Sequence, residues 1–464
     1  MTATAIEQLG TFLARCDAEQ AAGDIVDKLD LHVTDIIAAW IAGSRTAEGQ
    51  ALIGFSARSR PEGQGEDRRA SLFDDVATNC ALTRLSEVDD IHLASMTTPG
   101  SIVIPGALAI ARALPNVPAA DLVAAILAGY EAMIRLGTAI NGPHVLYRGI
   151  WPTYFATPFG MAAVAARLLH LSAQETSHAL ALALTLASPS VGHHNAPTTA
   201  RWLAVGNAAR NGLGAALAAQ SGFTSDLKMM ESGFLTNVYG ITGNAAAFTE
   251  ALGAKWTLSE VSFKPWCAAR QTMAATQALR EVLEQGIRAD DIIEIHAAVL
   301  PPHLKMIAHG IVPGDRASHL TSLPYQMALA AFAPEQALDV AQSPKDVAAP
   351  VRAFMERIKV AGDEGLIENY PAAWPARIAV ETRAGISEHR VTYLPGDPAR
   401  PLSPEQLADK FHKLVAPAIG AAQTAKLVQQ TAAWRQPGRS APLVDEVDRI
   451  CRGISLIAEI PADP

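Results

Sequence analysis

Alanine-rich segments with helical periodicity fill the first half of the chain. Apolar residues recur at i, i+3 and i+4 in residues 27–41, 105–114, 119–140, 159–169, 173–186 and 206–220. Gly43, Pro115, Gly142 and Gly222 stand at or just past the ends of such segments, where helices commonly stop. Because Ala and Gly side chains let helix backbones approach closely, the pattern predicts a body of buried helices rather than a sandwich or barrel.

The pattern changes near residue 290. Residues 291–300 are rich in β-forming side chains and end at a pair of prolines, which predicts a strand. Residues 376–382 and 388–394 alternate on either side of a turn that contains Gly385, which predicts a hairpin. Helical stretches lie between these strands, at residues 325–332 and 351–358.

Helical patterning returns at Ser403 and continues to the end of the sequence. The order of elements therefore predicts a mostly α fold with an inserted α+β domain. We expect the main part of a large all-helical domain in residues 1–268, the α+β domain in 269–402, and C-terminal helices in 403–464 that return to the helical domain.

Composition narrows the class of protein. Of 464 residues, 49% are hydrophobic and 18% charged, which excludes a disordered chain. A net charge of -9 without a basic stripe argues against a nucleic-acid partner. The N-terminus reads as an amphipathic helix and not as a targeting segment, and no stretch reaches the ~18 apolar residues of a membrane span. We expect a cytoplasmic protein without a membrane partner. The scattered cysteines suit a reducing compartment: Cys16, Cys80, Cys267 and Cys451.

Familiar catalytic motifs are missing from the sequence: it contains no HExxH, no P-loop, no GxSxG and no GxGxxG after a strand. His193 and His194 are adjacent, but neighbouring side chains on extended backbone point apart, so we expect them to line a cleft. The sequence therefore predicts no metal site and no cofactor.

Chemically capable side chains stand out in separate segments: residues 87–92, 148–153, 262–271 and 322–325. The first combines three acids with His92, the second carries Trp151, and the third sets Lys264 and Arg270 among apolar residues. The last places Tyr325 at the start of a helix. Together they supply acid, base and anion-binding groups, as the clefts of enzymes do.

These segments resemble motifs of the MmgE/PrpD family, whose members include 2-methylcitrate dehydratase, cis-aconitate decarboxylase and iminodisuccinate epimerase. The resemblance covers nearly the whole chain. It rests on five ordered motifs: DDIHLASMTTPG at 89–100, RGIWPT at 148–153, NAARNG at 207–212 with GFT at 222–224, FKPWCAAR at 263–270, and SLPY at 322–325. It implies a large helical domain closed by the C-terminal segment, a smaller α+β domain, and a homodimer.

The resemblance also assigns roles to individual positions. Lys264 and Tyr325 match the lysine and tyrosine of the family pattern, and Glu87 replaces its aspartate. Other family residues are exchanged: Thr98 and Trp151 replace two histidines, Arg201 replaces a lysine, and Met273 replaces a further histidine.

The family reactions move a proton at the carbon next to a carboxylate through an enolate-like transition state, which needs a base, an acid and cations. A lysine in a dry pocket is a suitable base, and we favour Lys264. Glu87 or the pair Asp89-Asp90 is the alternative base if burial raises the pKa. Tyr325 or His92 would supply the acid.

Substrate binding would fall to cationic side chains and to the pocket wall. Arg201 and Arg270 can each hold a carboxylate bidentately. Thr98 and Trp151 would line the wall in place of the family histidines. Because an indole adds bulk and apolar surface, we hypothesise a substrate that is smaller, flatter or less charged than a tricarboxylate.

The sequence thus predicts a cofactor-independent lyase of the dehydratase/hydratase type that acts on a small carboxylic acid. An epimerase or isomerase and a decarboxylase remain open as alternatives on the same fold. So does a catalytically degenerate protein that only binds a carboxylate, since the two family histidines are replaced. A last alternative is nucleophilic chemistry at Cys267, whose thiol pKa would be lowered by Lys264 or Arg270.

Overall fold

The computed structural model describes residues 2–21, 23–59, 68–188, 198–342 and 345–458. His193 and His194 lie outside these residues. Helices hold 63% of the chain and strands 8%, which confirms the mostly α fold class.

The chain divides into two compact units. The first is built from Met1–Gly192, Thr199–Val261 and Ser403–Pro464, and the second from Ser262–Leu402. Residues 262–268, which we expected to end the helical part, belong to the second unit. They form no helix, and the backbone of Phe263 bonds to Gly396 of that unit.

The N-terminal part of the first unit is helical. It contains one two-residue strand, β1 (Ile91–His92), and the following helices: α1 (Ala5–Ala14), α2 (Gly23–Ser44), α3 (Ala47–Ser59), α4 (Arg68–Leu85), α5 (Gly100–Ala113), α6 (Ala119–Ala139), α7 (Gly142–Val145), α8 (Pro152–Leu168), α9 (Ala173–Thr185), α10 (Ala200–Gln220) and α11 (Phe234–Tyr239).

Small residues bring these helices together. A Cβ on Gly206 of α10 would stand 2.7 Å from the carbonyl oxygen of Ala77 on α4, and one on Gly212 would stand 2.3 Å from that of Pro158 on α8. Both positions therefore require glycine. At the centre, α6 is long and apolar enough to cross a membrane by length and composition alone, yet 94% of its most apolar window is buried within the protein. Core helices have this property.

Several helices begin earlier than the sequence pattern indicates. The periodicity predicts a start at residue 159, whereas α8 begins at Pro152 directly after Trp151. Proline is well suited to the first helical position because its missing N–H has no intrahelical partner there. This early start places Trp151 at the N-terminal end of a buried helix.

The second unit combines helices with a four-stranded sheet. Its elements are the short strand β2 (Val261–Ser262) at the boundary, α12 (Arg270–Glu284), β3 (Ile292–Val299), α13 (Leu304–Ile307), α14 (Arg316–Thr321), α15 (Leu323–Phe332), α16 (Ala349–Glu356), β4 (Ile358–Gly362), β5 (Ala376–Thr382) and β6 (Gly385–Val391). The strand order is β4-β3-β5-β6, with β4 parallel to β3 and the other pairs antiparallel. Helix α12 packs against this sheet.

The strand β4 was not predicted. The sequence pattern carries the helix of residues 351–358 into it, whereas α16 ends at Glu356 and the chain turns into an edge strand. Lys359 and Ala361 of that strand are exposed. An edge strand with small and charged residues lacks the alternation that marks a half-buried strand, so its pairing with β3 decides its conformation.

The C-terminal segment returns to the first unit as α17 (Pro404–Ile419), α18 (Ala421–Ala432) and α19 (Ser440–Ala458). Lys410 of α17 anchors it: its Nζ lies 2.6 Å from Asp35 Oδ1 on α2 and donates to the carbonyl of Val88 at 3.0 Å. Both charged side chains are buried. The C-terminal helices thereby fix the loop before β1, which carries several of the candidate site residues.

Candidate active site

The loop between α4 and β1 places two carboxylates on one arginine. Arg84 lies 3.2 Å from Glu87 Oε1 and 3.3 Å from Asp89 Oδ1. Burial opposes the charge of Arg84, but the two carboxylates raise its pKa above the ordinary value. Glu87 has φ 57°, a left-handed conformation that is unusual for a residue with a side chain and is typical of strained functional sites.

The carboxylate of Asp90 bonds to groups within the protein. It is 0% exposed, and it accepts hydrogen bonds from the Gly100 N–H at 2.8 Å and the Tyr130 hydroxyl at 2.7 Å. His32 Nδ1 lies 2.9 Å from the same carboxylate, and burial lowers the pKa of His32, which favours a neutral imidazole that donates to Asp90. This geometry suits a scaffold group, and the catalytic role that we considered for Asp90 stays a prediction.

His92 has a defined tautomer. Its Nδ1 accepts the backbone N–H of Ser95 at 3.2 Å, so the proton sits on Nε2, which lies 3.6 Å from Glu260 Oε2. The hydrogen bond from His92 and the contact with Lys255 lower the pKa of Glu260 to about 2, although burial opposes them. His92 therefore faces a carboxylate of its own unit.

Because the pKa of Glu260 is depressed from 4.5 to about 2, its ion pairs stabilise the fold above pH 4.5, and this contribution is lost as the pH falls toward 2. The Glu260 side chain is 48% exposed, so solvent screening limits the contribution to about 1 kcal/mol. We expect Glu260→Gln to be less stable than the wild type by that amount at pH 7 and nearly as stable at pH 2.5. Urea unfolding at both pH values measures the difference; a gap that stays constant with pH would contradict the assignment.

A guanidinium and aromatic rings form the centre of the site in the first unit. The Cζ of Arg201 lies 4.7 Å from the ring centroid of Trp202 and 5.7 Å from that of Trp151. Trp151 meets Tyr154 edge-on at 5.6 Å. Arg201 is buried, and it has neither a hydrogen bond nor an ion pair with another residue in the part of the chain that the structure describes. We define Trp151, Tyr154, Arg201 and Trp202 as the Arg201 cluster.

Thr98 joins two of the sequence motifs. The Thr98 N–H donates to the hydroxyl of Thr153 at 3.1 Å, and the two hydroxyls lie 3.4 Å apart. Because Thr153 is two residues after Trp151, this contact holds the loop after β1 against the start of α8. Thr98 is thereby held at Thr153, two residues along the chain from Trp151, a member of the Arg201 cluster.

In the second unit Lys264 follows β2 and is 2% exposed. The segment that carries Lys264 bonds to a tight turn at Gly396. The Phe263 N–H donates to the carbonyl of Gly396, whose φ is +103°. A Cβ at Gly396 would stand 2.4 Å from the Phe263 carbonyl oxygen, so the position requires glycine.

Arg270 is held within the protein. Its Nη2 lies 3.0 and 2.8 Å from the two carboxylate oxygens of Asp397, and both side chains are almost fully buried. The guanidinium also packs over Trp374, with Cζ 5.6 Å from the ring centroid. Arg270 thus has an internal carboxylate partner, and the substrate clamp that we considered stays a prediction.

Tyr325 lies on the first turn of α15 and is buried, with its ring edge-on to His319 at 4.9 Å. Burial raises the pKa of Tyr325 to about 12, so the phenol keeps its proton over the physiological range. Cys267 is buried, and its sulfur lies 4.0 Å from Arg316. Met273 is fully buried in α12.

The first unit therefore gathers Glu87, Thr98, Trp151 and Arg201, while Lys264, Arg270 and Tyr325 belong to the second. Sequence reasoning missed four residues, namely Arg84, Tyr154, Trp202 and Asp397. Only the adjacency of Trp202 to Arg201 was a usable signal, because the others acquire their roles through tertiary packing. Among the described residues no three His, Cys, Asp or Glu side chains gather as metal ligands would.

Comparison with known families agrees with the resemblance of the motifs. The MmgE/PrpD N-terminal domain matches residues 7–257 and the MmgE/PrpD C-terminal domain matches residues 266–436. The chain belongs to the MmgE/PrpD family.

The relatives are decarboxylases by name. The cis-aconitate decarboxylase-like protein oryM of Aspergillus oryzae is 27% identical over 261 residues, which are 52% of this chain and 54% of the relative. Cis-aconitate decarboxylase of Aspergillus terreus is 26% identical over 52% of each chain, and that of Homo sapiens is 30% identical over 37% of this chain and 36% of the relative. The chain thus spans about half the length of these curated relatives, or less.

Proposed function

We propose that the chain is a lyase of the dehydratase or decarboxylase type that acts on a small carboxylic acid without a cofactor. Family membership supports the class of reaction. The single observation that carries the proposal is Arg201, a buried guanidinium with no carboxylate partner among the described residues. Buried charges in proteins are normally paired, so a cation of this kind is suited to receiving an anionic substrate.

The proposed chemistry follows from the charges in the cluster. A substrate carboxylate on Arg201 would place the adjacent carbon in a protein environment with few mobile waters. When a base removes the proton from that carbon, the guanidinium stabilises the negative charge that spreads onto the carboxylate. Proton removal begins a dehydration or an epimerisation, which differ in the bond that changes next. In a decarboxylation the loss of CO2 leaves the same kind of negative charge, and an acid then protonates that carbon.

The family pattern supplies Lys264 as the proposed base and Tyr325 as the proposed acid. The phenol of Tyr325 is protonated at neutral pH, so the proton to be donated is present. Glu87 is the alternative base. Its carboxylate shares Arg84 with Asp89.

A carboxylate-binding protein without catalysis is the second candidate. One observation favours it: Thr98 and Trp151 occupy the positions of the family histidines, and in the structure neither can shuttle a proton as imidazole does. Under this candidate Arg201 would bind the same class of anion, but no proton would move.

Proton NMR in D2O separates the two candidates. We expect deuterium to enter next to a carboxylate in at least one of methylcitrate, citrate, cis-aconitate, malate, citramalate, iminodisuccinate, 3-hydroxybutyrate and succinamate. Lys264→Met should abolish the exchange, whereas Lys413→Met, which changes an exposed lysine, should leave it unchanged. Binding without exchange in the whole panel would favour the second candidate, and exchange that survives in Lys264→Met would remove Lys264 as the base.

A further inference from the structure

The Arg201 cluster contains two hydrogen-bond donors that the described protein does not use. The indole Nε1 of Trp151 and the hydroxyl of Tyr154 are both buried, and neither has a hydrogen-bond partner among the described residues. Trp151 is 6% exposed and Tyr154 0%. Because a buried donor without an acceptor is destabilising, such groups are seldom retained unless something else satisfies them.

Their position ties them to the proposed carboxylate receptor. Trp151 contacts Arg201 through its ring face and Tyr154 through an edge-on packing at 5.6 Å. A small ligand whose carboxylate lies on Arg201 would therefore extend toward these two donors. The rings of Trp151 and Trp202 contact the Arg201 guanidinium, and a guanidinium can give a carboxylate two parallel hydrogen bonds.

The charges around Tyr154 limit what its partner can be. Arg84 and Arg201 act on the Tyr154 hydroxyl as positive charges, and Glu87 and Asp89 act on it as negative charges. Arg84 forms ion pairs with Glu87 and Asp89, whereas Arg201 has no ion pair among the described residues and is the cation that an incoming anion can contact. One carboxylate neutralises Arg201. A second carboxylate near Tyr154 would lie in a buried place beside Glu87 and Asp89 without a cation of its own.

From these charges and the two unused donors, we infer that the Arg201 cluster selects a substrate with one carboxylate and one neutral acceptor oxygen. The neutral oxygen belongs to a group such as a carbonyl, amide or hydroxyl and lies a few bonds from the carboxylate. Trp151 Nε1 and the Tyr154 hydroxyl donate to that neutral oxygen, and Arg201 holds the carboxylate. This inference rests on the proposed function, because it identifies the anion that Arg201 receives. It separates the chain from tricarboxylate chemistry, since Trp151 contributes an uncharged donor in place of a group that can carry positive charge.

Isothermal titration calorimetry with matched ligands tests the inference. Succinamate and succinate share a skeleton and differ in replacing one carboxylate by an amide; cis-aconitate adds a third carboxylate. We expect succinamate to bind at least tenfold more tightly than succinate or cis-aconitate. Tyr154→Phe and Trp151→Phe should each weaken succinamate binding about tenfold and leave the weak succinate binding unchanged, because each removes one donor and leaves an aromatic ring at the position.

Controls make the outcome decisive. Trp256→Phe removes a buried indole outside the cluster and should leave both affinities unchanged, and circular dichroism confirms folding of every variant. Equal or tighter binding of succinate or cis-aconitate, or succinamate affinities that do not change in either cluster variant, would overturn the inference. Proton exchange on cis-aconitate with weak succinamate binding would overturn it while the proposed lyase stands. Tight succinamate binding without exchange on any acid would support it while the lyase fails.

Discussion

Asp397→Ala should lower the free energy of unfolding by about 3–5 kcal/mol. The substitution removes the carboxylate that lies 2.8 Å from Arg270 and leaves a guanidinium buried without its ion partner. It also removes the acceptor of the Leu394 N–H at 2.7 Å, which shapes the turn before Gly396. Urea unfolding followed by circular dichroism measures the change.

Two further variants identify the cause. In the double variant Arg270→Met and Asp397→Ala, the buried charge is gone, so we expect part of the lost stability to return. Glu388→Ala removes an exposed carboxylate 3.8 Å from Arg377 in the same unit and should cost less than about 1 kcal/mol. If Asp397→Ala is as mild as Glu388→Ala, Arg270 has another partner and our structural role for the pair is incorrect.

Asp90→Ala should be comparably destabilising, by about 3–5 kcal/mol. It strips the acceptor from three buried donors at once: the Gly100 N–H, the Tyr130 hydroxyl and the His32 imidazole. Each buried donor that is left without a partner costs about 1–3 kcal/mol. Chemical denaturation at pH 7 reports the loss.

Tyr130→Phe is the matched control, because it removes one donor and preserves the carboxylate. We expect it to cost about 1.5–3 kcal/mol, the usual range for a hydrogen bond to a charged group. A wild-type stability in Asp90→Ala would show that the carboxylate is not a scaffold group, and a role in catalysis would then have to be reconsidered.

The fold was predictable because its signals are local. Helical periodicity marked the interiors of α2, α6 and α9, and alternation with a glycine turn marked the β5–β6 hairpin. The failures were at places where the pattern depends on neighbours in space. The start of α8 is set by Pro152, and β4 exists because it pairs with β3.

The candidate site was less predictable. The resemblance of the motifs indicated Trp151 and Arg201, which the structure brings together. It could not reveal that Asp90 and Arg270 bind partners within the protein. Tyr154 carried no motif of its own. Its hydroxyl becomes notable only because the fold buries it beside two arginines without an acceptor. Whether a buried polar group has a hydrogen-bond partner depends on the folded structure and not on the local sequence.

The contact between Lys410 and Val88 has a consequence for biosynthesis. The two residues are 322 positions apart, and at about 5–20 residues per second a ribosome needs roughly 15–60 s to travel from one to the other. During that interval Asp35 lacks its ion pair with Lys410, and the loop that carries Glu87 lacks the hydrogen bond from Lys410 to Val88. The helices that emerge first must therefore remain soluble while incompletely paired, and the acidic loop takes its final form only after the α+β unit has been synthesised.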